Sequence, residues 1–132
     1  MKWHTKLRFC LAAVFYILLV GCSAVGPLCR SEEKIRASIL KRTPVGCSSN
    51  QVYAFIKQQR WQVNGENRRR GFQKHLVGRA GSVEVGRSYV CCDIGVTHFV
   101  FFPFATDVLA YWGFDKSGHL IDVWVDRQTD AP

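Results

Sequence analysis

Partway along, the chain changes its hydrophobic period, and that change limits its fold more than any other feature. Ile35, Ile39 and Leu40 recur at helical spacing, and Ser31 ahead of Glu32 and Glu33 offers a capping hydroxyl and two carboxylates at the positive end of a helix dipole. This predicts a helix over 31–42. Thr43-Pro44-Val45-Gly46 ends it, since Pro44 disfavours helical backbone at Thr43 and Gly46 permits a turn. Ser48 with Gln51 three residues on forms a capping box, and Val52, Phe55 and Ile56 then share one face of a second helix. Trp61-Gln62-Val63 alternates only briefly, and the polar stretch Asn64 to Lys74 predicts an exposed loop. From Val83 the pattern turns strand-like: Val83/Val85, Tyr89-Val90, His98 to Phe102, Val108 to Phe114 and Leu120 to Val125 are rich in β-branched and aromatic residues. Asp115-Lys116-Ser117-Gly118 joins the last two as a tight turn, with Gly118 available for positive φ. Helices followed by strands imply an α+β domain in which two N-terminal helices pack on one face of a small antiparallel β-meander.

The first residues follow a different rule. Lys2, Lys6 and Arg8 precede the uncharged apolar run Phe9 to Val20, whose 12 residues have signal-peptide length and are too short to cross a hydrocarbon core of roughly 30 Å. Leu19-Val20-Gly21-Cys22 follows, and with its aliphatic residue three before a cysteine and small Gly21 before it, it resembles the lipobox of bacterial lipoproteins. That resemblance implies cleavage after residue 21 and acylation of Cys22, the lipid attachment site. The organisation expected is a signal over 1–21, a tether over 22–30, and a single domain over 31–132. Two other readings compete. One is an ordinary secretory signal; the other is an uncleaved single-pass anchor, since Phe9 to Cys29 is uncharged over 21 residues, although apolarity drops through Gly21, Ser23, Gly26 and Pro27. Each places residues from 30 on outside the cytoplasm, because the positive charge lies ahead of the apolar run.

Without residues 1–21 the chain keeps 15 basic and 10 acidic residues, a net charge of about +5 against +8 for the whole. Residues 30–87 hold 13 Lys or Arg with four Glu, whereas 88–132 hold only Lys116 and Arg127 against six Asp. The densest basic patch is Arg68, Arg69, Arg70 and Lys74, with Arg79 beyond. An exported protein does not meet nucleic acid in the ordinary way, so the patch reads as a solvated loop or a contact for anionic headgroups or an acidic partner.

Cys29, Cys47, Cys91 and Cys92 remain after Cys10 leaves with the signal and Cys22 takes lipid. A 12-residue helix spans about 18 Å and separates Cys29 from Cys47. Adjacent Cys91 and Cys92 cannot readily reach two distant partners, so at most one long-range bridge is expected. Neighbours in a strand point to opposite faces, and one of this pair is expected to be exposed. No C-x-x-C or close histidine spacing supports zinc, and G-x-S-x-G, H-E-x-x-H and phosphate-cradling glycine loops are absent. His75, His98 and His119 are scattered, so no catalytic residue, metal or cofactor is assigned.

The lipobox, the first helix, Gly46-Cys47-Ser48-Ser49-Asn50-Gln51-Val52 opening a second, and a closing hairpin with Trp112-Gly113-Phe114-Asp115 and Leu120 together resemble the small outer-membrane lipoproteins of the SmpA/OmlA, or BamE-like, type. The chain has Gln58-Gln59-Arg60-Trp61 where that family follows its second helix with a Leu-Gly-x-Pro turn. The resemblance implies an accessory or scaffold role in a periplasm-facing complex of the outer membrane, with an envelope protein as partner and the membrane reached through lipid; an inner-membrane anchor is the alternative. Two helices cover only one face of a sheet, so part of the aromatic set is expected on the open face, and Tyr111, Trp112 and Trp124 form the candidate interaction surface. Other roles open to such a layout are a binding inhibitor of a periplasmic enzyme and a thiol-active protein using Cys91 or Cys92.

Overall fold

The structure, a computed structural model, describes residues 27–75, 80–98 and 105–129. A 3-10 turn, Pro27–Cys29, leads into helix α1, Glu32–Arg42, and helix α2, Ser49–Gln59. Six strands follow: β1 Gln62–Asn67, β2 Phe72–His75, β3 Ser82–Val85, β4 Ser88–His98, β5 Ala105–Phe114 and β6 Leu120–Thr129. The main sheet has the order β1-β4-β5-β6 with every pair antiparallel, and β2 and β3 form a separate antiparallel pair. The fold is α+β, with both helices ahead of the strands. No helix among the described residues is long and apolar enough to cross a membrane.

Each helix is placed by the signals its sequence carries. In α1, Ile35 and Ile39 are buried one turn apart, with Glu32 and Glu33 in the first turn and Lys41 and Arg42 in the last. Ser31 sits at the N-cap, but its side chain makes no cap hydrogen bond. At the other end the Thr43 hydroxyl donates to the Ile39 carbonyl at 3.1 Å and accepts from Trp112 Nε1 at 3.3 Å, which joins the helix end to β5 inside the core. The α2 capping box forms as expected: the Gln51 amide donates to Ser48 Oγ at 3.4 Å, and the Ser48 amide donates to Gln51 Oε1 at 2.9 Å. Arg60 then takes a left-handed conformation, φ 58°, and ends the helix. Backbone hydrogen bonds Ser49 N to Gly118 O at 2.8 Å and Leu120 N to Cys47 O at 2.8 Å fasten the start of α2 to the β5–β6 turn. In that turn Asp115 Oδ1 accepts from the Ser117 and His119 amides, and Gly118 has φ 79°.

The core lies between helices and sheet. Ile35, Ile39, Val52 and Ile56 meet Val90, Cys92, Ile94, Val108, Ala110, Trp112, Phe114, Leu120, Val123 and Val125. A bulge between Asp93 and Gly95 lets Ile94 join this set, and the Asp93 carboxylate steadies it by accepting from the Gly95 amide at 2.8 Å.

The expected loop over 64–74 is not one loop. Gln62–Asn67 pairs with β4 as the edge strand β1, and Phe72–His75 forms β2; only residues 68–71 connect them. β1 is exposed or half-buried throughout and so carries no apolar alternation; its backbone hydrogen bonds to β4 hold it. The last two strands also run past the stretches their β-branched residues mark, β5 beginning at Ala105 and β6 ending at Thr129.

Candidate functional site

Side chains alternate along β4, β5 and β6, so the register sorts them onto two faces. Tyr111 lies opposite Cys91 on one neighbour and Trp124 on the other, and Tyr89 is two residues from Cys91. Tyr89, Tyr111 and Trp124 therefore share the face turned away from the helices, with ring centroids 6.3 Å apart for Tyr89–Tyr111 and 5.4 Å for Tyr111–Trp124. All three rings are half-buried.

The β2–β3 hairpin lies over part of this outer face through Phe72, which is buried and stacks on Trp124 at 6.1 Å with an interplanar angle of 11°. Gly113 makes the approach possible: a Cβ there would fall 2.8 Å from Phe72 Cε1. Lys74 Nζ reaches Asp122 Oδ2 at 3.1 Å and holds the hairpin to β6. Beside Phe72 an open cavity of about 280 Å³ remains over the aromatic cluster, with Asp126 and Gln128 at its edge. Burial, then the neighbouring Cys91 and Asp126, pushes the Tyr111 phenol well above its ordinary value, so it stays protonated as a donor.

Trp112 does not belong to this surface. It is fully buried on the helix face, as it must be when adjacent Tyr111 faces the other way. Phe72, Tyr89 and Asp126, which residue types alone did not single out, complete the outer cluster instead. Phe72 had a signal, a lone aromatic after Gly71 in a polar stretch.

The basic patch divides in two. Arg68, Arg69 and Arg70 are exposed in the turn after β1, where the Asn67 side chain accepts from the Arg69 and Arg70 amides at 2.9 and 3.0 Å, and Arg68 stands 3.7 Å from Glu66. Lys74 is engaged by Asp122 and is not part of that turn. Arg79, the aromatics Phe99, Phe101, Phe102 and Phe104, the expected strand beyond His98, and Cys22 with the lipobox all lie outside the described residues.

Cys91 and Cys92 do point to opposite faces, yet both are buried, at 5 % and 0 % exposure, because the outer face of β4 is itself partly covered. Burial pushes the Cys92 thiol up to about 12 and raises Cys91 against the opposing effect of Tyr111; Cys47 is raised as well, again chiefly by burial. Protonated, enclosed thiols are poor nucleophiles. Cys29, Cys47, Cys91 and Cys92 are all free. Among the described residues no three His, Cys, Asp or Glu side chains gather to hold a metal.

A second cavity, about 420 Å³, opens on the other side where α1 and α2 diverge over Ile35, Ile39, Trp61 and Ile94, with Arg30 and Arg42 at its rim. Its floor is the helix-side core, extended by Trp61, which packs edge-on against Phe55 at 5.3 Å and near Trp112 at 6.2 Å. No family model, curated protein or solved structure matches this chain.

Proposed function

We propose that this chain is a non-enzymatic envelope lipoprotein, held by acyl chains on Cys22 at the outer membrane and facing the periplasm, where it binds another envelope protein through the outer face of its sheet. The observation that supports the binding role is the half-buried cluster of Tyr89, Tyr111 and Trp124 beside an open cavity, on a face that, among the described residues, is covered in part by a hairpin with four-residue strands. Aromatic rings that are rigid, large and partly wet supply much contact area at small entropic cost, which is why they dominate binding hot spots. The anchor is supported by the sequence Leu19-Val20-Gly21-Cys22 after a short apolar run; three acyl tails on one cysteine hold a protein at a membrane permanently, where one chain binds marginally.

Capture of partners by the tagged full chain from native envelopes tests the reading. Tyr111→Ala or Trp124→Ala should weaken capture by about 2 kcal/mol or more, roughly thirtyfold, while circular dichroism shows a folded domain. Reversing Arg68, Arg69 and Arg70 should matter less and fade with added salt. Intact capture by the aromatic variants, with loss in the arginine variant, would assign the contact to the basic turn instead. Copurification of one soluble periplasmic enzyme at equal stoichiometry would make the protein a binding inhibitor. Cys22→Ser should leave an unprocessed precursor, and normal maturation of that variant would remove the lipoprotein reading.

A further inference from the structure

The outer face carries more carboxylates than it uses. Asp93 on β4, Asp107 on β5 and Asp122 and Asp126 on β6 all lie on it by register. Asp122 is engaged by Arg36 and Lys74, whereas Asp93, Asp107 and Asp126 have no Lys, Arg or His within ion-pair distance among the described residues. Asp93 accepts from the Gly95 backbone amide, and among the described residues the hydrogen bond to the Asp126 carboxylate comes from Gln128 Nε2, at 3.5 Å. Lys74, beside the aromatic cluster, is held by Asp122, and the His75 ring lies 6.2 Å from that of Trp124.

The cavity over the cluster combines three features. Its walls include the flat rings of Phe72, Tyr89, Tyr111 and Trp124, with His75 beside them; Asp126 supplies a carboxylate with no ion-pair partner among the described residues; and Gln128 supplies a further carbonyl acceptor. Aromatic faces attract cations through the negative side of their quadrupole, and the attraction grows as water is excluded. A guanidinium is planar, stacks on such rings and donates in a fixed fork to a carboxylate, whereas an ammonium is a strongly hydrated point charge and a quaternary ammonium donates nothing. We infer that this cavity receives an arginine side chain of the partner protein, stacked on Trp124 and Tyr111 and donating to the Asp126 carboxylate. The inference rests on the reading of the outer face as a protein-binding surface and adds the chemistry of what docks there: a partner patch that is basic, with one arginine standing proud.

The test uses the full chain in neutral-detergent micelles, with the Trp124 indole N–H signal identified by its loss in Trp124→Phe. Three probes are titrated: N-acetyl-arginine methylamide, its neutral citrulline counterpart, and tetramethylammonium chloride. The arginine probe should give a saturable shift of the Trp124 signal, weakened at least tenfold by Asp126→Asn and several-fold by Gln128→Leu, and the citrulline probe should give none. Equal curves for arginine and citrulline, an unsaturable arginine response, or unchanged binding in a folded Asp126→Asn protein would overturn the inference. Tighter saturation by tetramethylammonium than by arginine would also overturn it, in favour of a quaternary-ammonium headgroup. The two readings fail separately. Partner capture that needs Tyr111 without arginine binding sinks this inference alone, and arginine binding with partner capture indifferent to Tyr111 sinks the wider reading.

Discussion

Toward the helices, β4, β5 and β6 present Val90, Cys92, Ile94, Val108, Ala110, Trp112, Phe114, Leu120, Val123 and Val125, none more than 7 % exposed. Toward the other side the same strands present Tyr89, Cys91, Asp93, Asp107, Leu109, Tyr111, Asp122, Trp124, Asp126 and Gln128. The first face is almost entirely apolar and is closed by two helices of 11 residues each. The second mixes rings with carboxylates and is closed over part of its area by a hairpin whose one buried side chain among the described residues is Phe72. Burial of apolar area, at about 25 cal/mol per Å², makes the helix side the source of stability. The outer side keeps half-buried rings beside charged groups, a mixture that stabilises a fold poorly and suits recognition.

The tryptophans on opposite faces of β5 and β6, Trp112 and Trp124, break or keep this distinction most directly. Trp112→Ala should cost about 3–5 kcal/mol, because it empties a fully enclosed site and strips Thr43 of its indole donor. Trp124→Ala should cost less than half as much, since its ring is only half-buried and its neighbours can relax into solvent. Urea unfolding of the two variants decides. Equal losses would mean that the outer face is core in all but name.

Asp122 ties the two layers together around the β6 edge. It accepts from Arg36 of α1 and from Lys74 of β2, while Arg36 Nε donates to the Val123 carbonyl at 2.7 Å and occupies part of the exposed strand edge. Burial pushes the Asp122 carboxyl up, but the hydrogen bonds and charges of Arg36 and Lys74 outweigh it and hold the group below its ordinary 3.8. Its folded value is thus the lower one. The stabilisation is complete at neutral pH, begins to fade as the pH falls toward 3.8, and is gone once the pH has dropped below the depressed folded value. Asp122→Ala should cost about 1–2 kcal/mol at pH 7, a partly exposed pair being worth less than a buried one. The difference from the parent protein should shrink in the same acid range. A constant difference from pH 7 to pH 2 would show that the clamp acts through packing and not through charge.

What the sequence made legible follows the same division. Ile35 and Ile39, the Ser48–Gln51 box and the Asp115–Gly118 turn were readable because each is a local rule with a fixed spacing, and all three serve the helix side. β1 was not, because an edge strand exposed on both faces needs backbone partners and leaves no apolar alternation to read. β2 was hidden for a related reason, having only Phe72 to bury. For the aromatic surface, strand parity already separates Tyr111 from Trp112; which of the two faces the helices depends on register with Val123 and Trp124, a long-range fact. Phe72 stands out as a lone aromatic in a polar stretch, but its burial is a long-range fact, set by a hairpin folding back over Gly113.

Helix-side rules give the next smaller effect. Ser48→Ala removes the side chain of an intact capping box and should cost about 0.5–2 kcal/mol. Ser49→Ala should be nearly neutral, because the Ser49 backbone amide, bonded to Gly118 O, survives the change. Thermal unfolding ranks the two, and the reverse order would shift the start of α2 by one residue. Gly118→Val belongs to the same experiment and should destabilise more than Lys116→Val, since φ 79° strains a β-branched residue and the added Cβ would sit 3.4 Å from Ser49 Oγ.

The smallest effect should come from the most conspicuous charges. Arg68, Arg69 and Arg70 are exposed, and the Arg68 side chain, 86 % exposed, approaches Glu66 only at 3.7 Å, so their charges contribute little to the fold. Replacing all three by Gln should shift stability by less than about 0.5 kcal/mol. The turn depends instead on Asn67, whose side-chain oxygen accepts both the Arg69 and Arg70 amides and so satisfies two donors in the link between β1 and β2. Asn67→Ala should therefore cost about 1 kcal/mol, more than the loss of the three positive charges that follow it in the chain. Urea midpoints in 50 mM and 500 mM salt separate the cases: the Asn67 effect should persist at high salt, and any arginine effect should vanish. If the triple arginine variant instead proves the less stable at both salt concentrations, the arginine stems are packing where the structure shows them in solvent, and the basic turn belongs to the scaffold of the outer face.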